Sequence, residues 1–89
     1  MNTESFDKLR KQLEQQNWPE VYLYKFIVKN EPEFIARVCA LFDDTAEIKF
    51  QHSNGDRYVS ISAKEMMMDA ASVIERYEKA SLIKGIIAL

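Results

Sequence analysis

Apolar and polar residues recur with two different periods along this chain, and the order in which the periods change predicts a fold. From Val21 to Lys29 the period is two: Tyr22, Tyr24, Phe26 and Val28 share one face of a strand, and Leu23, Lys25, Ile27 and Lys29 the other. From Pro32 to about Phe42 the period lengthens to that of a helix, with Phe34, Ile35, Val38, Leu41 and Phe42 on one side and Glu31 and Glu33 at the electropositive amino end. Residues 46–52 alternate again, with Ile48 and Phe50 set against Glu47, Lys49 and Gln51. After Ser53-Asn54-Gly55-Asp56 the alternation resumes, with Val59 and Ile61 set against Tyr58, Ser60 and Ser62. A second helix is predicted from Glu65 or Met66 to Lys79, carrying Met67, Ala70, Ala71, Ile74 and Tyr77 at helical spacing, and an apolar strand from Leu82 to Leu89.

The predicted order is strand, helix, strand, an Asn-Gly turn, then strand, helix, strand. Two right-handed crossovers interleaved in this way build a four-stranded antiparallel sheet in the order 4-1-3-2, with both helices on one face. That is the α+β, ferredoxin-like βαββαβ sandwich. Its second sheet face displays Leu23, Lys25, Ile27, Lys49, Gln51, Tyr58, Ser60 and Ser62, which is more apolar than a solvated face and more polar than a core.

An amphipathic helix is predicted ahead of this unit, over residues 3–16, with Phe6, Leu9 and Leu13 on one stripe and Lys8, Lys11, Gln12 and Glu14 on the other. Trp18-Pro19 ends it, because proline disfavours helical geometry in the residue before it. The chain therefore divides into an amino-terminal helix, residues 1–17, and the α+β domain, residues 18–89. A helix of this length is marginal alone, so its stripe must dock: on the open sheet face, on the rest of the domain, or on another subunit. The last strand is an edge guarded by Lys84 alone, and Lys84, Ile86 and Leu89 are exposed candidates there for pairing with a second copy or a partner strand.

Composition narrows the class without naming a role. The 89 residues are 47% hydrophobic and 29% charged with two prolines and two glycines, ordinary usage for a single globular domain. A net charge of −2, without a run of like charges, gives no footprint for nucleic acid. One cysteine allows no internal disulfide, the amino terminus has no secretory pattern, and no stretch is apolar enough to span a bilayer; a cytoplasmic protein with no membrane partner is expected.

Trp18-Pro19, Tyr24-Lys25, the hairpin from Ser53 to Tyr58 with Ser60 and Ser62 following, and the close of the chain together resemble the YbeD-like family of small bacterial domains of unknown function. The resemblance covers residues 18–89, and the helix over residues 3–16 is an extension of a shorter family lead-in. It implies a ferredoxin-like fold close to the ACT domains, which bind amino acids and regulate metabolic enzymes. It brings no catalytic residues. ACT ligand sites commonly use a glycine-containing turn after the first strand, where this chain has Lys29-Asn30-Glu31-Pro32.

The candidate chemical groups read as structural. His52 is the only histidine and Cys39 the only cysteine, too few for a metal set, and Cys39 sits between Val38 and Ala40 as a small packed thiol. Asp43-Asp44 and Glu75 with Glu78 read as solvated acids at helix ends and faces. There is no glycine-rich phosphate loop, and Arg57-Tyr58-Val59-Ser60 lacks the pattern of an RNA-recognition strand. Met66-Met67-Met68, placed at the start of the second helix, puts at least one thioether outward. The expectation is a non-enzymatic interaction or regulatory module without cofactor or metal. Its contact residues are Lys25, Tyr58, Ser60 and Ser62 on the open face and Lys84, Ile86 and Leu89 on the edge. The alternatives are a homodimer through either surface and a sensor of an amino acid or other small metabolite; RNA binding and catalysis rank behind them.

Overall fold

The computed structural model describes residues 3–89, with side chains from Phe6 onward. Its elements are α1 (Thr3–Glu14), β1 (Glu20–Lys29), α2 (Pro32–Cys39), β2 (Glu47–His52), β3 (Tyr58–Met67), α3 (Ala70–Ala80) and β4 (Ile87–Ala88). The strands form one four-stranded sheet in the order β2-β3-β1-β4, every pair antiparallel. Read from the other edge this is 4-1-3-2, the order that the alternating periods predict.

The inward residues of the two central strands, Tyr24, Phe26 and Val28 of β1 and Val59, Ile61 and Ala63 of β3, are fully buried against Val38 of α2 and Val73, Ile74 and Tyr77 of α3. Both helices thus cover the same face of the sheet. α1 packs beside α3 on that side: Phe6 and Leu13 enter the core, and Arg10 Nη2 lies 4.0 Å from Glu78 Oε1. Trp18 Nε1 donates to the Leu13 carbonyl at 2.8 Å and fastens the end of the helix. Of the places open to its apolar stripe, α1 has taken the helical layer, so it leaves the other sheet face uncovered.

Three boundaries depart from expectation, each for a local reason. The run Met66-Met67-Met68 does not start a helix. β3 continues to Met67 because β1 supplies partners to the end of the ladder, Tyr22 for Glu65, Val21 for Met66 and Glu20 for Met67. Asp69 then caps α3, its Oδ1 accepting from Ser72 N at 2.7 Å and Ser72 Oγ at 2.6 Å. α2 is regular only to Cys39; beyond it the spiral tightens, with Leu41 N donating to Val38 O at 3.0 Å and Phe42 N to Cys39 O at 3.1 Å.

The third departure is β4, which holds two residues instead of the eight from Leu82 to Leu89. Residues 81–86 are spent on turns that bring the chain back from α3, with Ile83 N bonded to Ala80 O at 2.9 Å and Gly85 at φ +76°. Ile83 is buried within those turns and plugs the core.

The β2–β3 turn forms at the Asn54-Gly55 signal but in a longer loop than a two-residue hairpin, closed between Ser53 and Tyr58 with Asp56 also at positive φ (+54°). Asp56 N donates to Ser53 O at 3.0 Å, and a positive φ at Gly55 (+85°) but not at Asn54 is the pattern of a type II turn. Asn30, at the end of β1, clamps the loop through Nδ2 to the Asp56 carbonyl at 3.0 Å.

Candidate interaction surface

Strand alternation assigns every residue of the uncovered face. Leu23 stands opposite Lys64, Lys25 opposite Ser62, Ile27 opposite Ser60 and Lys29 opposite Tyr58, while β2 sets Glu47, Lys49 and Gln51 beside Lys64, Ser62 and Ser60. All eight residues expected there share it. Val21 and Met66 extend it at one end. Leu23 is 56% exposed and Met66 56%, large for apolar groups within a regular sheet. Val21, Lys64 and Met66 were missing from the expected face, although the alternation that placed Leu23 and Tyr58 places them equally once β3 runs to Met67.

The edge residues meet different fates. Ile87 pairs with Ile27 and Ala88 with Phe26, so Ile87 joins the open face and is 51% exposed. Ile86, expected outward, instead packs against the core, because the register that sets Ile87 on the open face turns its neighbour inward. Leu89 stays exposed beside β1, its N–H donating to the Lys25 carbonyl at 2.9 Å. Lys84 lies in the turn before β4. Tyr58 faces Lys29 across the ladder, while Lys25 faces Ser62.

Two shallow depressions meet at Tyr58 and Ile87. One, of ≈ 360 Å³, is lined by Ile27, Gln51, His52, Ser53, Tyr58, Ser60 and Ile87 and lies on the open face. The other, of ≈ 330 Å³, is bounded by Lys29, Glu31, Phe34, Tyr58, Lys84, Gly85 and Ile87. Ser60 Oγ is buried in the first without a hydrogen-bond partner among the described residues. Such a hydroxyl is one that an occupant can satisfy.

The other buried polar groups described lie on the helix-covered side of the sheet. Glu65, an inward residue of β3, accepts from Arg76 Nη2 at 2.8 Å through Oε2 and from Asp43 N at 3.2 Å through Oε1. The Arg76 guanidinium also lies 5.4 Å from the Tyr24 ring centre and 5.0 Å from that of Phe42. Burial raises the phenols of Tyr24 and Tyr77 well above their usual range, and the 3.0 Å contact with Tyr22 OH adds to the rise at Tyr77. A third depression there, ≈ 350 Å³, carries both signs, Asp43 and Glu75 against Arg76 and Lys79. These groups tie α3 to β3 and the loop after α2. Sequence reasoning missed them, since a lone glutamate in a strand gives no hint of an arginine across the core.

His52 is exposed at the end of β2, with Nδ1 3.9 Å from Asp56 Oδ1, and Cys39 is partly buried with its thiol pushed up by desolvation. Among the described residues no group of three or more His, Cys, Asp or Glu side chains converges as a metal site, and no helix is long and apolar enough to cross a membrane. Glu78 reaches toward Arg10 and Glu75 binds Lys79 at 3.0 Å.

Comparison with known proteins gives one result. No curated protein and no solved structure matches the chain. A family model described as "Protein of unknown function (DUF493)" matches residues 14–88, spanning the end of α1 and the whole sheet and fitting the YbeD-like resemblance. The chain belongs to the DUF493 family.

Proposed function

We propose that this ferredoxin-like, ACT-like domain is a non-enzymatic interaction or regulatory module of the cytoplasm that meets a protein partner through its open sheet face. The observation that carries this reading is the exposure of Leu23, Met66 and Ile87 on a regular sheet whose own amino-terminal helix is docked elsewhere. An apolar group set on a rigid strand loses little freedom on binding, and a face of this kind is what a partner can desolvate. Glu65, the buried acid, has both carboxylate oxygens engaged, by Arg76 and by the main chain at Asp43, which supports a structural role for it in place of catalysis.

The test is recovery of partners from native cell extract by the full chain and by a Leu23→Ser/Ile87→Ser variant of equal stability. A protein retained by the first and lost by the second supports the reading. Equal recovery by both, or none by either, counts against it. The depression beside Ser60 favours a second reading, a sensor of an amino acid or similar metabolite. A saturable rise in melting temperature with one member of a metabolite panel supports that reading, since a ligand at ~100 times its Kd adds about 2.7 kcal/mol.

A further inference from the structure

We infer that the partner on the open face is an acidic protein segment carrying a bulky apolar anchor, which seats among Ile27, Tyr58 and Ile87 above the Ser60 hydroxyl. This rests on the reading of that face as a protein-contact surface and adds the chemistry of what it contacts.

The first support is charge. Lys25, Lys29, Lys49 and Lys64 all stand on the face, while Glu47 is the acid among its strand residues, 3.9 Å from Lys49. Among the described residues no carboxylate comes within 4.0 Å of Lys25, Lys29 or Lys64. The whole chain carries −2, so this positive field is local to the face and opposite in sign to the protein's balance. A second copy docked by the same face would bring lysines against lysines. An acidic partner turns the same charges into steering and registration.

The second support is shape and polarity. The ≈ 360 Å³ depression among these charges is apolar at Ile27, Tyr58 and Ile87 and has room for one large side chain. The unpartnered Ser60 hydroxyl within it can donate to a carboxylate or a main-chain carbonyl of the occupant. Nucleic acid would satisfy the charge but not the rest. Tyr58 is the one aromatic among the strand residues of this face, whereas strand-binding proteins stack successive bases on several, and exposed Val21, Leu23 and Met66 suit protein side chains.

The experiment is selection from a random displayed-peptide library on the full-length chain, followed by affinity measurements on the recovered peptides. Recovered sequences should be net acidic with large apolar residues among the acids. Their affinity should fall by about tenfold or more in Lys25→Glu/Lys49→Glu and with added salt, fall in Ser60→Ala, and stay unchanged in Lys8→Glu/Lys11→Glu on α1. Both lysine pairs are exposed, and unchanged circular dichroism and melting would confirm that each variant is folded. Recovery of neutral or basic peptides that still need Ile87 would overturn the acidic partner while leaving the interaction surface standing. No enriched peptide, or binding indifferent to every change on the face, would overturn both. Tighter binding of a single-stranded oligonucleotide than of any recovered peptide would assign the lysines to nucleic acid instead.

Discussion

Glu65 and Arg76, eleven residues apart, meet at 2.8 Å beneath the aromatic layer, and the pair links the last turn of the β3 ladder to the middle of α3. Glu65 is the one buried charged residue among those described. Each carboxylate oxygen is used, one by Arg76 and one by the main chain at Asp43, so neither partner can be removed without stranding the other. Glu65→Ala or Arg76→Ala should cost about 3–5 kcal/mol in urea unfolding. Glu65→Met/Arg76→Met should cost less than the sum of the two single changes, because no buried charge is left alone, though Asp43 N–H loses its acceptor in that variant also.

Docking of α1 on α3 makes the amino-terminal helix part of the core. Leu13 is 2% exposed, and Leu13→Ala should destabilise the domain by about 2–5 kcal/mol. Deleting residues 1–16 should lower the melting temperature further by uncovering the apolar side of α3. Unchanged thermal denaturation in both would refute this packing.

At alkaline pH the buried phenols dominate. Tyr24 and Tyr77 keep their protons in the fold to higher pH than in the unfolded chain, because burial penalises the phenolate. Their contribution is therefore complete below the unfolded value, about 10, and is lost as pH rises beyond it. Stability should fall steeply above that point. Tyr77→Phe should flatten the slope, read by chemical denaturation across the alkaline range.

At acid pH the helix cap takes over. The two hydrogen bonds from Ser72, side-chain and then main-chain, hold the Asp69 carboxyl below its ordinary value. The stabilisation is present above the unfolded value, about 3.9, and disappears as pH falls through the lower folded one. The difference in melting temperature between the native chain and Asp69→Ala should accordingly be full at neutral pH and shrink on acidification. A constant difference would show that the cap does not act through its charge.

The sheet order could be read from the sequence because Tyr24, Phe26 and Val28 and then Val59 and Ile61 alternate cleanly about one turn, and a one-residue slip would expose all of them. The ends of elements could not. Met66 to Met68 satisfy a strand and a helix alike, and the decisive signal was Asp69 with Ser72 after them. Leu82 to Leu89 reads as a strand by composition, yet Gly85 with positive φ breaks it, and pairing with β1 then turned Ile86 inward. The docking of α1 depends on which surface offers the better fit, and no local pattern encodes that. The open face was legible in membership, but its lysine cluster emerged only when strands distant in sequence were laid side by side.

The register of the sheet also sets the order of its assembly. β2 and β3 join residues as near as His52 and Val59, across a loop closed by Ser53 and Tyr58, whereas β1 must find partners from Tyr58, paired with Lys29, to Met67, paired with Glu20. Loop-closure entropy is smaller for the hairpin, so it forms first and offers a template whose inner edge is finished only when β1 arrives. Capture of β1 by a preformed hairpin should then limit the rate of folding, with the two residues of β4 expected to close over the completed pair last.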